Sequence, residues 1–166
     1  MAMLKIGVSL LTVASLTFGA AARADDEKVP LDKLPAKVKE AVKAKFPDAE
    51  LVSAEKETDN GKVLYEVNLK VKKQVIDVTV TEDGKIVEVE TAIEAKDLPK
   101  TVTDALDKKY GKAKYHKVED IVKGDQKYFE VLLEYADGKK KVEVQIDKDG
   151  KILEEEDKSN QKDEKK

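Results

Sequence analysis

The 166-residue sequence has no cysteine and no tryptophan, and only one histidine, His116. Without cysteine there are no disulfides, no thiolate catalysis and no cysteine-ligated zinc. Its only arginine is Arg23, so nothing downstream can form the bidentate guanidinium contacts on which phosphate and guanine recognition lean. Nucleic acid is therefore not an expected partner. Beyond residue 24 the only serines are Ser53 and Ser159. A Ser–His–acid arrangement would have to join Ser53 to His116, which occupy nearly equivalent places in two copies of a repeat, and coincidence is the better reading. His116 alone reads as a solvent-facing strand residue.

Charged residues make up 40% of the chain and hydrophobic residues another 40%, so the composition is that of a folded protein with a heavily charged exterior. The formal net charge is -3.

The longest apolar run, Ile6 to Phe18, is short for a membrane span. It follows Lys5 and leads to Ala22-Arg23-Ala24, with small residues where a signal peptidase reads. Residues 1–24 are thus expected to be a signal peptide cleaved after Ala24, giving a periplasmic or secreted protein with no membrane attachment after cleavage. No cysteine follows the run to carry a lipid. Residues 25–33 read as a polar lead-in.

The rest of the chain is written twice. Leu34-Pro35 opens a helical pattern carried by Val38, Ala41, Val42 and Phe46, with lysines between them. An irregular strand from Leu51 to Glu57 and an Asn60-Gly61 turn follow. Val63 to Val71 then alternates cleanly, with Tyr65, Val67 and Leu69 on one face and Leu64, Glu66 and Asn68 on the other. Ile76, Val78 and Val80 alternate next, and Asp83-Gly84 turns into Ile86 to Glu90. The pattern restarts at Leu98-Pro99, with Val102, Leu106 and Tyr110 on the helix, then Phe129, Val131 and Leu133, and an Asp149-Gly150 turn. The offset between copies is 64 through Leu133 and 66 at the last turn, so two extra residues fall in the hairpin around Asp137-Gly138.

These patterns predict an α+β protein of two tandem repeats, each a helix packed on a four-stranded antiparallel sheet. The expected division is repeat 1 at 34–91, a linker at 92–97, repeat 2 at 98–156 and a disordered charged tail at 157–166. Core one should hold Val38, Val42, Phe46, Tyr65, Val67, Leu69, Ile76 and Val78. Core two should hold Val102, Leu106, Tyr110, Phe129, Val131, Leu133, Val142 and Val144. With so short a linker, the copies should sit side by side.

The Leu-Pro helix, the Tyr/Phe-x-Val-x-Leu strand and the Asp-x-x-Gly-Lys-Ile hairpin resemble the PepSY-like domain. In particular they are similar to tandem-copy exported proteins related to beta-lactamase inhibitory protein. The resemblance covers Leu34 to Glu90 and Leu98 to Glu156, mostly at core and turn positions, so it speaks to fold before function. It implies a non-catalytic binding module without a cofactor. The best known relative inhibits beta-lactamases through a concave sheet surface and two inserted loops, and PepSY domains in protease propeptides are thought to restrain the protease. No contact residue is carried across, because this chain lacks tryptophan and disulfides.

Asp147-Lys148-Asp149-Gly150 has glycine fourth and a strand at once after it, which makes a turn and not a calcium loop. Carboxylates are abundant, but no pocket or sugar-stacking tryptophan marks any pair as catalytic.

The two copies differ on the predicted outer face. Leu64 and Asn68 of copy one become Tyr128 and Leu132 in copy two, beside Glu130 and Glu134. Tyrosine is favoured at interfaces, so Tyr128, Leu132, Glu130 and Glu134 are the candidate protein-binding residues. The alternative is that Tyr128 and Leu132 pack against the other repeat or the linker. The functional expectation is a module that binds another exported protein, as an inhibitor or regulator of an envelope or secreted enzyme. The alternative is a structural envelope protein without an enzyme target. A hydrolase using carboxylates alone ranks below both, and the oligomeric state is open.

Overall fold

A computed structural model describes residues 27–59 and 61–160. The expected signal peptide and its cleavage point, and the end of the charged tail, lie outside the described residues. Among the described residues, no helix is long and apolar enough to cross a membrane.

The elements run in order: β1 (Glu27–Lys28), α1 (Ala36–Lys45), β2 (Glu50–Asp59), β3 (Lys62–Val71), β4 (Gln74–Thr81), β5 (Ile86–Ala92), α2 (Lys100–Tyr110), β6 (Lys114–Lys123), β7 (Gln126–Tyr135), β8 (Lys140–Ile146) and β9 (Ile152–Asp157). All nine strands form one antiparallel sheet whose spatial order is the sequence order.

This corrects the expectation of two units, each with its own four-stranded sheet. Strand β5 pairs with β6 from Glu88↔Lys123 through Ala92↔Glu119. Each half would otherwise end there in a row of unpaired backbone donors and acceptors, and pairing the two rows satisfies both. The Lys123 ammonium, 2.8 Å from Glu88 Oε2, adds an ion pair across the same seam.

Each helix is preceded by its proline, Pro35 or Pro99, in an extended conformation. The helix stripes lie on one face of the sheet over two separate apolar clusters. Val38 and Val42 pack with Tyr65, Val67, Leu69, Ile76 and Val78, while Val102 and Leu106 pack with Phe129, Val131, Leu133, Val142 and Val144. The expected core residues are in place, with Phe46 and Tyr110 only partly buried at the margins.

The lead-in is more ordered than a polar spacer. Glu27 and Lys28 pair with β2, and Val29 and Leu31 pack against the first cluster. The Val29 N–H donates to Ala54 O at 2.8 Å, and 64 residues later Ile93 N–H donates to Val118 O at 3.0 Å.

Other details repeat at the same offset. The bulges in β2 and β6 fall between Leu51 and Ser53 and between Tyr115 and Lys117. The inserted residues are thus Val52 and His116. The two extra residues of the second copy are also where the sequence put them. The β3–β4 loop closes from Val71 to Gln74, and the β7–β8 loop closes from Tyr135 to Lys140. At the other end, Ser159 Oγ accepts the Lys141 N–H at 3.1 Å, which holds the start of the expected tail against β8.

Candidate functional site: an acidic row on the open sheet face

Side chains alternate across a strand, so the cross-strand pairing decides which residues share the face away from the helices. One row runs Asn68, Asp77, Glu90, Ile121, Tyr128. The next runs Ala92, Glu119, Glu130, Gln145, Glu154. Both rows cross the β5–β6 seam.

The four residues singled out from sequence all lie on β7 and on this face. Tyr128 does not project, however. It is 6% exposed and lies beside Ile121, which is 1% exposed. Its hydroxyl is 3.5 Å from Glu88 Oε1 of the other half. Burial, then the Glu88 charge, pushes the phenol well above its ordinary pKa. Leu132 is half-buried between Lys117 and Glu143 in register. Glu130 is half-buried and accepts a hydrogen bond from Gln145 Nε2 at 3.3 Å, and its pKa is raised by burial first and then by Glu143 and Glu119. Glu134 pairs with His116 at 3.1 Å.

A cluster that sequence reading did not single out lies at the centre. Asp77, Glu90 and Glu119 each bring a carboxylate oxygen within 4.8 Å of the others. Glu119 is only 2% exposed. Lys117 Nζ sits 2.8 Å from Glu119 Oε2 in an ion pair. Asp77 accepts from Asn68 Nδ2 at 2.6 Å. Glu90 has no hydrogen-bond or ion-pair partner among the described residues.

The electrostatics follow from that crowding. Burial, and then the Glu119 charge, raise Glu90 from 4.5 to about 8. Glu119 is also raised, by burial, against the pull of Lys117. Burial works against the Lys117 charge, but the surrounding Glu119, Glu90 and Glu130 carboxylates outweigh it and hold Lys117 above the usual lysine range. Three carboxylates at this spacing could share a cation by charge and reach. At present Lys117 supplies the local positive charge.

Ser53 and His116 do not meet. They sit on β2 and β6, four strand positions apart in the sheet, which is about 19 Å at the usual strand spacing.

The site thus lies on the helix-free face of an antiparallel sheet, where carboxylates from both halves meet. The comparisons with known proteins agree on the fold. The family model described as "putative beta-lactamase-inhibitor-like, PepSY-like" matches residues 22–88 and 64–154, and the chain belongs to this PepSY-like family. Among solved structures, a "BLIP-like protein" from Bacteroides fragilis is similar with a TM-score of 0.64 at 21% identity, covering 81% of this chain and 92% of that one. A protein of the DUF2874 family from Bacteroides uniformis gives 0.67 at 17% identity, covering 77% and 92%. A "putative periplasmic" protein from Bacteroides eggerthii gives 0.66 at 17% identity, covering 76% and 90%. At these identities the likeness is one of fold. No curated protein matches.

Proposed function

We propose that this is an exported, non-catalytic module whose open sheet face binds another exported protein, as an inhibitor or regulator of an envelope or secreted enzyme. The observation that carries this reading is the open face itself. Nine strands present one continuous helix-free surface, and no described element covers it. Glu130, Leu132 and Glu134 reach that surface from β7, and Tyr128 is buried on the same face beside Ile121. Export is supported by the signal-peptide pattern of residues 1–24 and by the periplasmic description of the similar Bacteroides eggerthii protein. The inhibitor role is supported by the family description and by the BLIP-like neighbour.

The test is retention of a stoichiometric enzyme from an envelope extract by the wild-type protein and by two variants. Leu132→Arg places a bulky charge on the open face, and Lys108→Glu alters the exposed side of α2. Loss of the enzyme with Leu132→Arg alone supports the reading. Loss with Lys108→Glu alone places binding on the helix side and refutes it. Recovery with wall material only would favour the structural envelope protein.

A further inference from the structure

We propose that the partner reaches the open face with a basic segment, one lysine or arginine of which enters the space among Asp77, Glu90 and Glu119. This rests on the reading of the open face as the binding surface, and it names the chemistry that face selects.

Charge favours such a segment. The cations at the centre of the face are already engaged, Lys117 with Glu119 and Lys123 with Glu88. Glu90 and Glu130 form no close ion pair among the described residues; Lys117 acts on both only at longer range, and Glu130 has the neutral Gln145 amide as a hydrogen-bond donor. Like charges at cross-strand positions, such as Glu119 opposite Glu130, repel one another. A face left in that condition gains from any cation that can reach it, and its carboxylates offset the cost of desolvating a partner's cation.

The shape of the acidic row favours it as well. From Asp77 on β4 through Glu90, Glu119, Glu130 and Gln145 to Glu154 on β9, the acidic row crosses five strand spacings. That is about 24 Å, or roughly seven residues of extended chain. A single metal ion would answer only one end of it. A short run of lysines or arginines laid across the strands answers all of it.

The proposal predicts a pH dependence. Glu90 faces Asp77 on β4, Lys117 and Glu119 on β6, and Glu130 on β7, with Glu88 on its own strand. With its pKa at about 8, Glu90 holds a proton at pH 7 that an incoming ammonium would expel. Binding should therefore release a proton at neutral pH and tighten as the pH rises toward 8.5.

The experiment titrates the full chain with octalysine at low salt by calorimetry, with an eight-residue Gly-Ser peptide and calcium chloride as separate titrants. The variant pair is Asp77→Asn with Glu90→Gln, both isosteric and both relieving repulsion, so the fold is retained; circular dichroism checks this. The control pair, Glu40→Gln with Glu82→Gln, removes the same formal charge from exposed sites on α1 and the β4–β5 turn. The expected result is octalysine binding that weakens tenfold or more in the open-face pair and less than twofold in the control pair. Wild-type affinity should rise several-fold from pH 6.5 to 8.5. Equal weakening in both pairs reduces the effect to net charge and overturns the proposal. Calcium binding at the cluster without octalysine binding assigns it to a metal ion and also overturns it. If octalysine fails while Leu132→Arg still releases the envelope enzyme, the basic-segment proposal falls and the open-face reading stands. If Leu132→Arg releases nothing, the open-face reading itself falls.

Discussion

Replacing Glu90 with glutamine tests the electrostatics of the open face most directly. The folded protein holds Glu90 at about 8 against an ordinary glutamate value of 4.5, because burial and the Glu119 charge disfavour ionisation. Folding therefore binds a proton more tightly than the unfolded chain does. The sign follows: stability is unaffected below about pH 4.5, falls as the pH rises through the window up to about 8, and is flat above it. A shift of that size would amount to roughly 5 kcal/mol at 1.36 kcal/mol per unit. Glu90 is only half-buried, so solvent screening reduces the expected effect to about 2 kcal/mol. Glutamine has the shape of the protonated acid and cannot ionise. Urea unfolding at pH 5, 6, 7, 8 and 9, followed by circular dichroism, should show wild-type stability declining across the series. The Glu90→Gln variant should decline much less and be the more stable protein at pH 8. Some slope should persist in the variant, because Glu119 and Glu130 are shifted in the same direction. An identical slope in the two proteins would refute the assignment of the shift to Glu90.

Further expectations follow from packing. Gly150 has φ +83, and a Cβ there would lie 2.6 Å from Thr101 O on α2, so Gly150→Ala should cost about 2–3 kcal/mol in denaturant unfolding. Gly61→Ala, at φ +77 with open space around it, should cost about 1 kcal/mol. Tyr128→Ala should lower stability by about 3 kcal/mol because the ring is buried, whereas Tyr128→Phe should be nearly neutral given the long 3.5 Å contact of the hydroxyl. Amides of β5 and β6 that bond across the seam should be protected in hydrogen exchange like those of the cores. Fast exchange there would mean that the sheet is split.

The helices, most of the strands and both cores were legible in the sequence because their signals are local. Val38 and Val42 share a helix face by spacing, and Tyr65, Val67 and Leu69 share a strand face by alternation, whatever the rest of the chain does. Turn chemistry is equally local, so the glycines at 84 and 150 announced their hairpins and the two extra residues near Asp137 announced a longer loop. The repeat itself came from comparing the chain with its own second copy. The joining of the two halves did not. Any antiparallel half-sheet has edges that can pair, and backbone hydrogen bonds carry no record in side chains of which edge meets which. Only the tertiary structure decided that β5 meets β6 with Glu90 opposite Ile121 and Ala92 opposite Glu119. That register brings Asp77 and Glu90 of the first half against Glu119 of the second, and it covers Tyr128 instead of leaving it to project. A cluster whose members lie on both sides of a seam depends on the seam's register, and a one-residue slip there would put Glu119 on the opposite face from Asp77 and Glu90.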